Sequence, residues 1–264
     1  MNAEESSSVI YEEDGALAFV RLNRPARRNA LTRAMLERLG EIFSKIGEHT
    51  NSPRVVILCG EGEAFCAGTD IGELESLDEE GARRTALRGQ TVCDAIELCG
   101  VPVIAAVGGA AAGGGCELAL ACHLRVASTK ALFSLPETRL GVIPAYGGTQ
   151  RLARAVGRAR ALSAMLAGEG VAAEEALRLG LVNRVAAPED LLGEAKAFAR
   201  TIMETSAPLA VRACLEAVMS GARLPLAEGL RLEAELFAQL FSTEDVREGT
   251  RAFLEKRAPI FKGR

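Results

Sequence analysis

From Val101 to Cys116 no residue carries a charge, yet Pro102 and the glycines at 108, 109, 113, 114 and 115 interrupt the run and Glu117 closes it. A membrane-spanning helix needs ~20 consecutive apolar residues, so this stretch is too short and too broken to span. What fits is a buried strand over Val101–Val107, a glycine turn, and a helix over Gly113–Cys122. A buried strand that leads through a turn into a helix is the unit of an α/β chain with crossover connections.

The rest of the N-terminal half repeats that rhythm. ALAFVRL at 16–22, VVILC at 55–59 and LRVA at 124–127 read as strands. Thr32–His49 sets Met35, Leu36, Leu39, Ile42, Phe43 and Ile46 at helical spacing behind a Thr cap, and Arg83–Cys99 reads as a second helix. After about Glu137 the strand signal fades, apart from Leu181–Val185. Helices are expected around 147–168, 172–179, 189–206, 207–220, 226–242 and 243–257, punctuated by Gly and Pro. Leu230, Leu232, Leu236, Phe237, Leu240 and Phe241 give one of them a long apolar face, suited to a neighbouring subunit or to the chain's own core.

The 264 residues, 48% of them hydrophobic, are enough to build a substantial interior. A net charge of −4 gives no general attraction to nucleic acid or anionic lipid. Seven cysteines without a C-x-x-C pair point to a reducing compartment. The opening MNAEESSSVIYEED lacks the basic start and apolar stretch of a targeting signal, so a cytoplasmic location is expected.

Much familiar chemistry is excluded. His49 and His123 are the only histidines, and no G-x-S-x-G elbow is present to serve a Ser-His-Asp site. There is no H-E-x-x-H and no cysteine cluster for zinc. Gly60-Glu61-Gly62 lacks the third glycine of a dinucleotide fingerprint, and no phosphate-binding G-x-x-x-x-G-K-[S/T] loop occurs.

Two glycine-bearing segments remain, Phe65-Cys66-Ala67-Gly68-Thr69-Asp70 and Gly113-Gly114-Gly115-Cys116-Glu117. Small residues let backbone approach a ligand, and the first amides of a helix have no internal acceptor, so either loop can hold an oxyanion or be a plain tight turn. Glu117 shares its helix with Leu118, Ala119, Leu120, Ala121 and Cys122, which leaves no polar face for it. Burying a carboxylate costs several kcal/mol unless it is paired or protonated, so Glu117 is either a proton-transfer group or the ion-pair partner of an arginine such as Arg125 or Arg139. Glu137 follows Pro136 and by itself could simply charge the first turn of a short helix. Ahead of the Gly141-Val142-Ile143-Pro144-Ala145-Tyr146-Gly147-Gly148 loop, it could instead join Glu117 in one crevice, where two carboxyls resist ionising together and divide into acid and base.

At this point the chain resembles the crotonase superfamily of enoyl-CoA hydratases and isomerases. The likeness rests on RLNRPARRNALT at 21–32, AFCAGTDI at 64–71, GGGCELALAC at 113–122, LPETRLGVIPAYGGTQRL at 135–152, GLV at 180–182 and FLEKRAPIFKGR at 253–264. The resemblance implies an α/β spiral of ββα units over residues 1–200 and a C-terminal helical region over 201–264 that assembles a homotrimer or a dimer of trimers. It implies a lyase that adds water to a 2-trans-enoyl-CoA, with Glu117 as base and Glu137 as acid. The amides of Thr69 and Gly114 would hold the acyl oxyanion and that of Ala145 would orient the water. Coenzyme A, present as part of the substrate rather than as a resident cofactor, would meet Ala67, Asp70 and Arg28, with Phe253 and Lys256 reaching a neighbouring subunit's ligand.

Three positions depart from the family's commonest pattern. Thr69 stands in place of a frequent Ala or Gly, His123 in place of an Asp, and Ala145-Tyr146 in place of Gly-Ala or Gly-Gly, which would narrow the acyl pocket. Two other readings stay open. One is a different acyl-CoA reaction on the same scaffold, such as double-bond isomerisation or hydration of a methylglutaconyl-CoA-type substrate. The other is a non-catalytic RNA-binding protein using Arg139, Arg151, Arg154, Arg158 and Arg160, against which the acidic total and the scarcity of aromatics argue.

Overall fold

The computed structural model describes residues 8–46 and 53–264, so His49 and residues 1–7 of the acidic N-terminal stretch lie outside it. The strands are β1 (Val9–Asp14), β2 (Leu17–Leu22), β3 (Val55–Gly60), β4 (Val103–Val107), β5 (Ala110–Ala112), β6 (Leu124–Ser128), β7 (Leu132–Ser134), β8 (Val171–Ala172) and β9 (Arg184–Ala186). The main sheet runs β1-β2-β3-β4-β6-β9 and a small one runs β5-β7-β8. Only β1 is antiparallel to its neighbour in the main sheet; the other pairings are parallel. Parallel pairing demands crossovers, and these are supplied in the first half by α1 (Arg33–Lys45), α2 (Ile71–Glu75), α3 (Glu79–Glu97) and α4 (Gly114–Ala121).

The small sheet is continued by two isolated bridges, Leu31 with Thr69 and Cys66 with Ala111. Each turn of the chain therefore gives one strand to the main sheet and one extended segment to the second layer before a helix returns it. β3 leads to Cys66–Thr69, β4 to β5, and β6 to β7. This is the spiral of ββα units that the resemblance implies.

Strand alternation divides the core. Val56 and Leu58 of β3 face an interior shared with Leu39, Phe43, Ile96 and Leu118. Their neighbours Val55, Ile57 and Cys59 face the other way. That outer face is covered by Leu191, Ala195 and Ala199. Burial of side chains as large as Ile57 or Leu58 contributes about 1.5–3 kcal/mol each.

The second half of the chain adds α5 (Gly148–Val156), α6 (Arg158–Ala167), α7 (Ala173–Arg178), α8 (Leu191–Thr205), α9 (Pro208–Gly221), α10 (Leu226–Leu240) and α11 (Glu244–Glu255). The outer cover of the sheet is thus α8. The single helix expected over 147–168 is two, because Gly157 at φ 81° and ψ 155° separates α5 from α6. The helix expected from Arg83 begins at Glu79, where the Asp78 carboxylate accepts the Gly81 amide at 2.7 Å and caps the turn. The late strand lies at Arg184–Ala186 rather than starting at Leu181, since Leu181 and Val182 are buried against α7 by amides that donate to the Ala176 carbonyl.

Beyond α8 burial falls sharply. No residue of α9 is buried, and α10 buries only Leu236. Leu226, Leu230, Phe237 and Phe241 stay exposed, as do Phe253, Leu254 and Ile260. Within one chain the apolar face of 226–242 therefore does not find its cover in the core.

Candidate active site

Two loops are brought together by glycines at which a side chain would crowd the facing segment. Gly68 has φ +98°, and a Cβ there would lie 2.8 Å from the Ala112 carbonyl oxygen and 3.4 Å from the Gly114 nitrogen. A Cβ on Gly114 would meet Tyr146 Cε2 at 2.9 Å and Thr69 Oγ1 at 3.3 Å. Gly114 is the first residue of α4, so its amide has no helical acceptor. Among the described residues neither the Thr69 nor the Gly114 amide donates to a protein acceptor.

Glu117 lies one turn into α4 and is 2% exposed. Arg125 does not pair with it; that guanidinium donates instead to the carbonyls of Ala119, Cys122 and Leu181. Arg139 likewise binds the Ala167 carbonyl. The Glu117 carboxyl is held by backbone: Oε1 accepts the amides of Tyr146 and Gly148, each at 2.7 Å. Burial pushes its pKa up to about 7, the Gly148 amide opposes that, the Glu137 charge adds to it, and the Tyr146 amide and Arg151 pull it back.

Glu137 opens a 3-10 turn over Glu137–Leu140, where Pro136 supplies the cap position. Its Oε2 is buried without a hydrogen-bond partner, and burial raises its pKa as well. The side chain turns toward the second loop, since a Cβ on Gly113 would lie 3.2 Å from Glu137 Oε1. Thr69, Gly114, Glu117 and Glu137 all line one cavity of about 1310 Å³. Leu74, Leu77, Ala86, Val142 and Ile143 give that cavity apolar walls. It can hold two proton-exchanging carboxyls of raised pKa beside a pair of free N–H donors.

Tyr146 packs between α3 and α4 and is buried, its hydroxyl 2.9 Å from Thr69 Oγ1. A glycine inside a helix costs about 1 kcal/mol relative to Ala, and Gly89 of α3 repays it by leaving room for this ring. A Cβ there would sit 2.0 Å from Tyr146 Cδ1. We expect Gly89→Ala to destabilise the fold by about 1–3 kcal/mol through overpacking, and Gly89→Ala with Tyr146→Ala to recover part of it. Denaturant titration of the three variants checks this, and equal stability of Gly89→Ala and wild type would refute the packing account.

Other expected positions are more dispersed. Ala145 lines the cavity and its carbonyl accepts from Gln90 Nε2 at 2.9 Å. Ala67 is exposed and donates its amide to the Arg28 carbonyl. Arg28 is exposed in a left-handed conformation at φ 49°. Asp70 caps α2 through the Gly72 amide and pairs with Arg24 at 3.1 Å. Phe253, 83% exposed, and Lys256 stand outside the lining of this chain's cavity. His123 has both ring nitrogens engaged, Nδ1 with the Val103 amide and Nε2 with the Glu97 carbonyl, and so ties β4 to the end of α3. Among the described residues no group of three or more His, Cys, Asp or Glu is placed to hold a metal ion, and no helix is long and apolar enough to cross a membrane.

Sequence reasoning missed the cradle of Tyr146 and Gly148 amides, the role of Gly89 and the anchoring of Arg151. A glycine in the middle of an otherwise sound helix was the available signal for Gly89.

A ββα spiral that gathers a buried carboxyl, a half-buried one and two free amides around one cavity has the frame of an enzyme. The chain belongs to the enoyl-CoA hydratase/isomerase family, whose model matches residues 12–264. It is 41% identical to a short-chain-enoyl-CoA hydratase of Clostridium acetobutylicum over 96% of this chain and 97% of that one. It is 39% identical to a crotonyl-CoA hydratase of Syntrophomonas wolfei, again over 96% and 97% of the two chains. The crystal structure of an enoyl-CoA hydratase from Bacillus anthracis superposes with a TM-score of 0.92 at 39% identity, covering 98% of this chain and 100% of that one.

Proposed function

We propose that this enzyme is an enoyl-CoA hydratase that adds water reversibly to a 2-trans-enoyl-CoA thioester through Glu117 and Glu137. The observation that carries this is the contrast between the two carboxyls in one cavity. Two amides donate to Glu117 Oε1 and favour its anion, whereas Glu137 Oε2 is buried with no donor and favours the neutral acid. Glu117 therefore takes a proton from water as its oxygen attacks the β-carbon, and Glu137 gives its proton to the α-carbon. The thioester oxygen gains charge during addition and lies between the Thr69 and Gly114 amides. The Ala145 amide orients the water.

The test is loss of the enoyl thioester absorbance of crotonyl-CoA with purified protein, together with Glu117→Gln and Glu137→Gln. Both variants are expected to lose activity, and product analysis over several acyl-CoA esters separates hydration from isomerisation. No turnover of any 2-trans-enoyl-CoA by the wild type would sink the reading.

A pH profile follows from the same geometry. Glu117 must be ionised to act as base, so kcat/KM is expected to fall about tenfold per pH unit below a midpoint near 7, the value to which burial raises it. Glu137 must be protonated to act as acid, so an alkaline limb is expected where that proton, held by burial above the ordinary carboxyl range, is lost. The pair titrates as a unit, and the limbs belong to the pair. A rate independent of pH between 5 and 8 would contradict this.

Coenzyme A enters as part of the substrate, with its adenine near the backbone of Ala67 and Asp70 and its phosphates near Arg28. The exposed faces of α10 and α11 are the contact surface of a homotrimer or a dimer of trimers, which brings Phe253 and Lys256 to a neighbour's ligand. The functional division is a spiral core over 1–200 and an assembly region over 201–264, and the compartment is the cytoplasm.

A further inference from the structure

We propose that Arg151 is a positioning residue for hydration, fixing the Tyr146–Gly148 turn whose two amides cradle Glu117. The inference rests on Glu117 acting in the proposed reaction.

Arg151 is the fourth residue of α5, and its side chain turns back across the turn that starts the helix. Nη1 donates to the Tyr146 carbonyl at 3.1 Å. The guanidinium lies so close to Gly147 that a Cβ there would stand 2.2 Å from Nη1; at φ +109° that glycine could not accept a side chain in any case. The clamp therefore sits on the residue between the two amide donors. The guanidinium thus holds the Tyr146–Gly147 peptide unit, which joins the two donor residues, and restrains the turn from which both N–H groups project.

The fork is itself anchored at its other end. Nε donates to Glu97 Oε2 at 2.7 Å and Nη2 to Asp94 Oδ1 at 2.8 Å, both on the last turns of α3. Arg223, in the turn after α9, completes the charge balance by pairing with Glu97 at 3.0 Å. Through the His123 contacts, α3 is tied in turn to the start of β4. A rigid path thus leads from the sheet to the Glu117 cradle, and Arg151 carries its last step. Side-chain exposures of 17% for Arg151 and 11% for Glu97 mean that this pair is partly shielded from solvent screening.

The groups that face Glu117 from neighbouring elements are Glu137, Arg151, Tyr146 and Cys93, and its own helix adds Cys116. Burial raises the last three, so they stay neutral across the working range, which leaves Arg151, and Glu137 once it ionises, as the charges that Glu117 senses. Removing the guanidinium takes away the cation and loosens the donors together.

The experiment measures kcat, KM and the pH dependence of crotonyl-CoA hydration for intact Arg151→Met and Arg151→Lys. Arg151→Met is expected to lose 10- to 100-fold in kcat, the order that about 1 Å of misplacement costs, with KM changed by less than about threefold. Its acid limb moves to higher pH. Arg151→Lys keeps the charge but not the fork, so its limb returns toward wild type while kcat recovers only in part. Lower thermal stability with kcat and limb unchanged in both variants would overturn the proposal, leaving Arg151 a structural residue. If Arg151→Met does not fold, Glu97→Gln, which frees one arm of the fork, is read with Arg151→Lys by the same two criteria. Glu117→Gln, run alongside, separates the two failures: wild-type turnover in that variant defeats the base assignment itself, whatever Arg151 does.

Discussion

Glu117→Gln is expected to lower kcat for crotonyl-CoA hydration by on the order of 10³ and at the same time to stabilise the protein above pH 7. Loss of a general base commonly costs 10²–10⁴-fold. The amide keeps the shape, and its oxygen still accepts the Tyr146 and Gly148 amides that hold Glu117 Oε1. The stability change follows from linkage. Burial raises the carboxyl from 4.5 to about 7 in the folded state. Below pH 4.5 both folded and unfolded chains carry the protonated acid, so no penalty exists. Between 4.5 and 7 the unfolded chain ionises first, and the wild type loses stability as pH rises. Above 7 the loss is complete, at about 3 kcal/mol for a shift of this size. Gln cannot ionise, so the difference between variant and wild type should grow from pH 5 to pH 8. Denaturant titrations at those two pH values measure it; a difference that does not change with pH would mean the carboxyl is not held in a desolvated site.

The second large effect concerns a group with no side chain. Gly114→Pro is expected to cost on the order of 10²–10³ in kcat, because it deletes one of the two N–H donors proposed to face the thioester oxygen. Gly114 is the first residue of α4, where proline suits the helix and the missing N–H breaks no helical bond. Substitution does bring a Cβ to 2.9 Å from the Tyr146 ring, so Gly114→Ala is the required control. Ala suffers the same contact and keeps the amide. A kcat for Gly114→Pro equal to that of Gly114→Ala would show that the donor contributes nothing to turnover, and the oxyanion assignment would fall.

Much of the fold was legible in the sequence because its signals are local. The β-branched runs at 55–59 and 101–107 could only be buried strands, and Thr32 does cap α1 through the Met35 amide. β5 was not legible: three alanines among glycines have no strand preference, and they are extended because Cys66 and the Leu132–Ser134 strand pair with them on either side. Gly157 reads as a tolerable helix residue, and only its backbone angles show that the chain turns there. The candidate site divides in the same way. Glu117 declared itself by its apolar neighbours, but its real partners were hidden. Alternatives such as Arg125 were equally plausible from sequence, and the actual donor at Gly148 is 31 positions away.

The amino-acid order by itself determined which segments had to be buried, where helices could start, and that one carboxylate would be forced into an apolar helix. Those are properties of short windows, set by periodicity, caps and the cost of desolvating charge. Tertiary structure alone decided that Glu137 shares a cavity with Glu117, that two amides are left free beside them, and that Gly89 yields space to Tyr146. The reason is that such relations depend on the stacking of successive spiral turns, which joins residues far apart in the chain through close backbone approach and is invisible to any local pattern.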